Sequence, residues 1–406
     1  MPPLPEDDAF DASAAPSCDD QCVRPDVYPP MPTEPHAAPI YTTAVYRCAG
    51  PSEADALLGG TEAGYVYSRD RHPNGDLLAQ RVAALHGAPR AIVCGSGMAA
   101  LSAPALALLQ AGDHVVVGDQ MYGRTFVLLE KELARFGVGC TRADACAAEA
   151  VAAAMTERTK LVVVETITNP LVRVVDVALL AEVAHRRGAR LLVDNTFASP
   201  ALCRPLALGA DLVMESLTKI MSGHSDVLLG VVAGDEATIE RISQVVITYG
   251  LSASPFDCWL AARGIGTLAL RAERASTNAL VAARYLADRP ECVRVDYPGL
   301  PSHPEHATAA RQFNGRFGSM LGFTLRGGRA SADRFIAAAR RIPFCPSLGD
   351  LSTTLSHPES TSHRGLSAAQ RAALGIDGGT LRLSVGLESP ESIVAALAEG
   401  LAALPA

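Results

Sequence analysis

Residues 91–109 read AIVCGSGMAALSAPALALL, a short run with β-branched side chains, glycines at 95 and 97, then a stretch of alanine and leucine. This order predicts a strand, a glycine turn and a helix opening near Gly97. Unpaired amides and the helix dipole at such a helix start form an anion site, and glycine lets the backbone come close to a phosphate. Further strand candidates follow at His114–Val117, Lys160–Glu165, Arg190–Asp194 and Asp211–Met214, separated by helical stretches. One of these, DVALLAEVAHRRG at 176–188, has Asp176 to cap it, Val177, Leu180, Val183 and Ala184 along one face, and Gly188 to end it. Such alternation predicts an α/β fold with a mostly parallel sheet covered by helices on both faces. From about residue 270 a longer helical pattern and strand candidates at Gly322–Leu325 and Leu381–Val385 suggest a second, smaller domain.

The chain has 406 residues, 49% of them hydrophobic, enough for one large or two medium cores. With 35 basic and 43 acidic side chains its net charge is −8, which gives no general attraction to nucleic acid or anionic lipid. The longest apolar run, Met98–Leu109, is interrupted by Ser102 and Pro104. It falls short of the roughly 18 residues a membrane span needs. The acidic, proline-rich start has no secretory pattern, so a cytoplasmic protein is expected, with its cysteines reduced. Residues 1–38 read as a disordered leader, and Cys18 and Cys22 within it as solvated thiols with no further ligands nearby to complete a metal site. Cys94 and Cys203 read as packing residues, and no metal site is expected.

The turn at Gly95–Gly97 admits two ligands. With Ala100, and with Asp119 at the end of the next strand, it fits a dinucleotide fingerprint. The ends of two later strands point elsewhere. RLLVDNTFASP brings Asp194, Asn195 and Thr196 to a carboxyl edge of the sheet, and DLVMESLTKIMSGHSD brings Ser216, Thr218 and Lys219 just past another. Open α/β sheets bind ligands at such edges. An acid and a lysine that each follow an apolar strand need partners for their charges. Pyridoxal phosphate meets every demand, with an aldehyde for a lysine, a ring nitrogen for an acid and a phosphate for hydroxyls and amides.

These residues resemble the pyridoxal-phosphate enzymes of cysteine and methionine metabolism, the trans-sulfuration family of cystathionine gamma-lyase, methionine gamma-lyase, cystathionine gamma-synthase and the homoserine-ester sulfhydrylases. The likeness runs from about Pro39 to the C-terminus. It is carried by YSR (67–69), SGMAA (96–100), YGRT (122–125), ETITNP (165–170), DNTFASP (194–200), SLTK (216–219), GHSD (223–226), SPFDCWLAARGIGTL (254–268) and RLSVGLE (382–388). The resemblance implies a fold-type-I, aspartate-aminotransferase-like architecture. It divides the chain into an N-terminal arm over 39–65, a cofactor-binding large domain over 66–270 and a small α+β domain over 271–406. It also implies roles. Lys219 would hold the cofactor covalently, Asp194 would pair with the ring nitrogen, and Tyr122 would stack on the ring and trade protons with the substrate. Gly97, Met98, Thr196, Ser216 and Thr218 would complete the cofactor site, with Tyr67 and Arg69 reaching the phosphate from a neighbouring subunit. A homo-oligomer, usually a dimer of dimers, follows from that.

Arg382, Asn169 and Ser347 would receive the substrate carboxylate, since a guanidinium can make two parallel hydrogen bonds to it. Asn169 reads equally as a turn residue before Pro170, and Ser347 as a helix cap or turn. The implied activity is a carbon–sulfur lyase reaction, gamma-elimination from a methionine-, homocysteine- or cystathionine-type amino acid to a 2-oxo acid, ammonia and a thiol. Gamma-replacement on an acyl-homoserine is the alternative, and a dinucleotide-dependent oxidoreductase the remote one. GHSD and SLGD (347–350) resemble the lyases, whereas HPESTSHRGLS (357–367) also resembles the sulfhydrylases. Ser352 and Thr353 stand where many relatives have Glu then Ser, which puts cystathionine in doubt as a substrate. Arg124 stands where relatives have Gly or Cys. It can meet an acidic substrate or effector, or simply face solvent.

Overall fold

Seven strands, β1 (Arg90–Cys94), β2 (His114–Gly118), β3 (Gly139–Ala143), β4 (Thr159–Glu165), β5 (Arg190–Asp194), β6 (Leu212–Glu215) and β7 (Gly230–Gly234), form one sheet in the order β1-β7-β6-β5-β4-β2-β3. The computed structural model describes residue 33 and residues 35–405, so most of the expected leader, Cys18 and Cys22 lie outside the described residues. The ladder from β3 through β2, β4 and β5 to β6 is parallel, and β7 pairs antiparallel with both β6 and β1. The expectation of a mostly parallel sheet holds. β3 and β7 were not among the predicted strands. β3 (GCTRA) is an edge strand with little apolar character, and β7 (GVVAG) is a brief buried run between glycines.

β1, β2, β4, β5 and β6 point their carboxyl ends to one edge of the sheet, because two antiparallel steps through β7 restore the direction of β1. Four strands lie between β1 and β2. A dinucleotide fingerprint needs the acid after the second strand to reach the glycine turn after the first. Here Asp119 is on the far side of the sheet, which removes the dinucleotide alternative.

Apolar side chains fill both faces of the sheet. Leu78, Val93, Val213, Val231 and Cys258 belong to one cluster, and Leu101, Val117, Leu161, Leu192 and Met214 to another. The middle of the helix Gly97–Leu108 is buried from Ala99 to Ala105 but for the half-buried Ser102, which fits its packing against the helix Glu236–Thr248. Asp176 caps the helix Val177–Arg186 by accepting from the Leu179 amide, as its sequence predicts.

The chain beyond β7 forms an antiparallel sheet in the order β10-β11-β9-β8, from β8 (Cys292–Asp296), β9 (Met320–Leu325), β10 (Thr354–Ser356) and β11 (Thr380–Ser384). Phe323, Phe335, Leu381, Leu383 and Leu397 make its core. Ile40–Ala406 cluster as one unit, and the boundary expected at 270/271 falls within the first turn of the helix Leu268–Ala287. Among the described residues no helix is long and apolar enough to cross a membrane.

Candidate active site

A cavity of about 270 Å3 opens at the carboxyl edge of the large sheet. Its floor comes from strand ends. Gly97 and Met98 follow β1, Tyr122 follows β2, Glu165 ends β4, Asp194 ends β5, and Ser216, Thr218 and Lys219 follow β6. The far wall comes from the C-terminal region, with Ser347 in the loop before β10 and Arg382 within β11. Eleven of the fourteen residues expected at the site therefore line one cavity, namely Gly97, Met98, Tyr122, Asn169, Asp194, Thr196, Ser216, Thr218, Lys219, Ser347 and Arg382. Tyr67, Arg69 and Arg124 do not line it. Tyr67 is 42% exposed with the Arg69 guanidinium 5.1 Å from its ring centre, and Arg124 is exposed on the short helix Gly123–Phe126.

The helix opening beyond β1 supplies an anion cradle. Ser96 caps it by accepting from the Ala99 amide at 3.0 Å, while the amides of Gly97 and Met98 belong to the first turn, where no intrahelical acceptor exists. A Cβ at residue 97 would lie 2.8 Å from the Ser216 Cβ, so only glycine lets the helix start meet the segment after β6. The Thr218 hydroxyl donates to the Leu229 carbonyl at 3.3 Å and accepts from the Leu229 amide at 3.1 Å.

Lys219 and Asp194 occupy the environments their sequence positions suggested. Lys219 Nζ donates to Ser347 Oγ at 2.9 Å. Burial, then the charge of Arg382, lower its proton affinity below that of a free lysine. Asp194 is half-buried at the cavity floor, and its Oδ1 accepts from both the amide (3.0 Å) and the hydroxyl of Thr196. Burial pushes its carboxyl up to about 6; the Thr196 hydrogen bonds pull the other way, and the charge of Glu215 adds to the rise. Such an acid gains from a positively charged hydrogen-bond donor beside it.

Arg382 is buried in β11. Its Nη1 donates to Asn169 Oδ1 at 2.8 Å and its Nη2 to the Ser347 carbonyl at 3.2 Å, while its buried Nε has no partner among the described residues. Burial lowers its proton affinity to about 10, opposed by Glu165. Gly349, at φ +79°, docks the Ser347 turn on the backbone of Lys219 and Ile220, where a Cβ would come within 2.5 Å of the Ile220 amide. Thr353 is tied to Glu388, and Ser352 to Asp350.

Glu165 received no role from the sequence. Its Oε1 accepts from the Tyr122 amide at 2.8 Å and its Oε2 from the Asn169 amide at 3.0 Å, so one carboxyl group holds two loops of the site. Burial, and then Asp194, raise its proton affinity well above the carboxylate range, against the two amides and Arg382. Its place as the last residue of β4, in register with Asp194, was the available signal. Ser362 also lines the cavity without having been singled out. Cys94 and Cys203 are buried with thiols pushed up to about 12, which makes both inert packing residues.

The donor set fits pyridoxal phosphate, with a lysine of lowered proton affinity, an acid of raised proton affinity and a helix start shaped for an anion. The family model for the Cys/Met metabolism PLP-dependent enzymes matches residues 20–402. The chain belongs to this family. The match begins within the stretch read as a leader, ahead of the motifs that start near Pro39. Among curated members, the O-succinylhomoserine sulfhydrylase of Pseudomonas aeruginosa is 42% identical, covering 92% of each chain. The L-methionine gamma-lyase of Porphyromonas gingivalis is 38% identical, covering 91% of this chain and 93% of its own. A crystal structure of cystathionine gamma synthase from Xanthomonas oryzae pv. oryzae, in complex with aminoacrylate and cysteine, superposes with a TM-score of 0.85. Its identity is 36%, over 91% of this chain and 94% of that one. Pyridoxal phosphate is thus the cofactor of this enzyme, on the fold-type-I architecture that the sequence implied, and amino acids are its substrate class.

Proposed function

We propose that this enzyme is a carbon–sulfur lyase that carries out gamma-elimination on a sulfur amino acid, which with one water gives a 2-oxo acid, ammonia and a thiol. When bound, pyridoxal phosphate supplies an aldehyde for an amine and a ring that draws negative charge away from the adjoining carbon. Lys219 is the amine for that aldehyde, and its Nζ takes the substrate alpha proton, for which its lowered proton affinity suits it. Asp194 keeps a proton on the ring nitrogen. The amides of Gly97 and Met98 and the Ser216 hydroxyl hold the phosphate, the Thr218 hydroxyl joins them by turning its hydrogen away from the Leu229 carbonyl, and Thr196 steadies Asp194. Tyr122 trades a proton with the substrate amine or the leaving sulfur. Arg382, oriented by Asn169 and the Ser347 carbonyl, receives the substrate carboxylate on its unpartnered Nε side.

One observation carries the choice of substrate. Among the described residues Lys219 and Arg382 are the cations lining the cavity, and the remaining walls include Leu101, Ile167, Phe197, Met214, Leu228 and Leu348. With Lys219 committed to the cofactor, one guanidinium is left for one carboxylate, and the apolar walls suit a thioether or thiol. Methionine and homocysteine fit this better than cystathionine, whose second amino-acid end needs polar partners. The second reading, gamma-replacement on an acyl-homoserine, is supported by the 42% identity to a sulfhydrylase and by the exposed Arg124 as a contact for a distal carboxylate.

We further propose that region 66–270 binds the cofactor and region 271–406 supplies Arg382. In the same reading the enzyme works in the cytoplasm as a homo-oligomer, a dimer of dimers, with Tyr67 and Arg69 entering a neighbour's site. The deciding experiment incubates the enzyme with methionine, homocysteine, cystathionine and acyl-homoserines, with and without added thiol. A 2-oxo acid released from methionine or homocysteine without thiol is the expected result. Product formed only from an acyl-homoserine and only with thiol would replace the lyase reading by the second one.

A further inference from the structure

Behind the cavity floor lies a carboxyl–imidazole pair that none of these roles uses. Glu215 ends β6 directly before Ser216, and His86 ends the helix Pro73–His86. His86 Nε2 stands 3.1 Å from Glu215 Oε1, and both side chains are fully buried. Met214 lines the cavity, so Glu215, next along the strand, lies on the opposite face of the sheet. Glu215 Oε1 also accepts from Asn195 Nδ2 at 2.8 Å, and Asn195 directly follows Asp194. Asn195 is locked on its other sides as well. Its Oδ1 accepts from Thr166 Oγ1 at 2.6 Å, its Nδ2 also donates to the Cys203 carbonyl, and its amide donates to the Met214 carbonyl.

We propose that the buried His86–Glu215 pair is a positioning element for Asp194, acting through the Asn195 side chain and through the negative charge it keeps behind the Asp194 turn. A carboxyl and an imidazole sealed from water are costly to bury, and Glu215 Oε2 and both ring nitrogens of His86 have no hydrogen-bond partner among the described residues, the His86 Nε2 contact to Glu215 being one of distance alone. Retained under those conditions, the pair calls for a reason beyond stability. The Asn195 clamp fixes the backbone from which Asp194 meets the ring nitrogen. The charge of Glu215 then adds to burial in making Asp194 a stronger proton acceptor. The inference rests on the proposed role of Asp194.

The test compares wild type with Glu215→Gln, which keeps an acceptor for Asn195 but removes the charge, with His86→Gln, and with the two combined. Cofactor-free protein is titrated with pyridoxal phosphate, and the visible absorbance band of the bound cofactor and the thermal midpoint of the cofactor-free form are recorded. Glu215→Gln is expected to weaken cofactor binding about tenfold and to move the band, while the cofactor-free midpoint changes little. The combined variant should match Glu215→Gln rather than sum the single effects. Unchanged affinity and an unchanged band in folded Glu215→Gln protein remove the charge contribution, and the same result in His86→Leu with Glu215→Met, which also takes away the acceptor for Asn195, overturns the proposal. Should Glu215→Gln fail to fold, the apolar pair alone carries the test, wild-type binding again overturning it. Asp194→Asn separates the two layers. If it binds the cofactor as wild type does, the Asp194 role falls and this inference with it; if it binds weakly while the apolar pair binds normally, this inference alone falls.

Discussion

Arg382 shows how much a single residue carries at this site. It sits inside a strand, two of its donors are engaged by Asn169 and Ser347, and one nitrogen is left for a ligand. Lysine has neither the planar fork nor a charge that resists burial, so Arg382→Lys is not a mild change. We expect it to lower kcat/KM about 30-fold or more, a loss of about 2 kcal/mol of transition-state stabilisation, mostly through KM, as steady-state kinetics would register. Asp194 yields a pH prediction. In the proposed mechanism its ionised form pairs with a protonated ring nitrogen, and burial pushes its carboxyl up to about 6. Cofactor affinity should therefore be nearly level from pH 8 to 7 and fall as pH drops through 6, where the carboxyl takes up a proton. Titrating cofactor-free protein with pyridoxal phosphate across that range checks the sign, and Asp194→Asn should abolish the Asp194-linked part of the slope.

Strand ends and helix starts set the positions of these residues. The helix Gly97–Leu108 reaches the β6 loop only because residue 97 has no side chain. A Gly97→Ala variant must push Ser216 or the helix aside, at a cost of about 1–3 kcal/mol. It should show a lower thermal midpoint together with weaker cofactor binding. Glu165 links two further loops by accepting from the Tyr122 and Asn169 amides at once. Glu165→Gln offers an acceptor to one amide and a donor to the other, leaving a buried amide unsatisfied at about 1–3 kcal/mol. Because Tyr122 and Asn169 move together, that variant should change both kcat and KM. β7 and β3 are reminders that an element can form without a strong local signal. β7 is sealed between β1 and β6, and β3 gains its ladder from β2 alone.

Across the whole molecule, residues from Ser96 to Arg382 meet in one cavity, so the proposed cofactor and substrate sites are closed by segments distant in the chain. Tyr67 and Arg69 remain outside that cavity. If they serve a neighbour, a subunit lacking Lys219 and a subunit lacking Tyr67 each spoil different halves of a shared site. Mixing Lys219→Ala and Tyr67→Phe proteins after reversible dissociation should then restore about a quarter of wild-type activity under random pairing of subunits. No recovery in mixed oligomers verified by mass would remove the shared-site reading.

Local chemistry was enough to expose the strand–turn–helix at 91–109, the Asp176 cap, the acid and lysine past their strands, and the carboxyl edge on which ligands assemble. Periodicity, glycine and side-chain type all act within a few residues, so they survive in a one-dimensional reading. The tertiary structure alone decided that β7 runs antiparallel and that four strands separate Asp119 from the glycine turn. It also decided that Glu165 holds two loops and that His86 meets Glu215. Each of these depends on which backbone lies alongside which, and on buried carboxyl groups finding donors far along the chain, relations fixed by packing rather than by neighbouring residues.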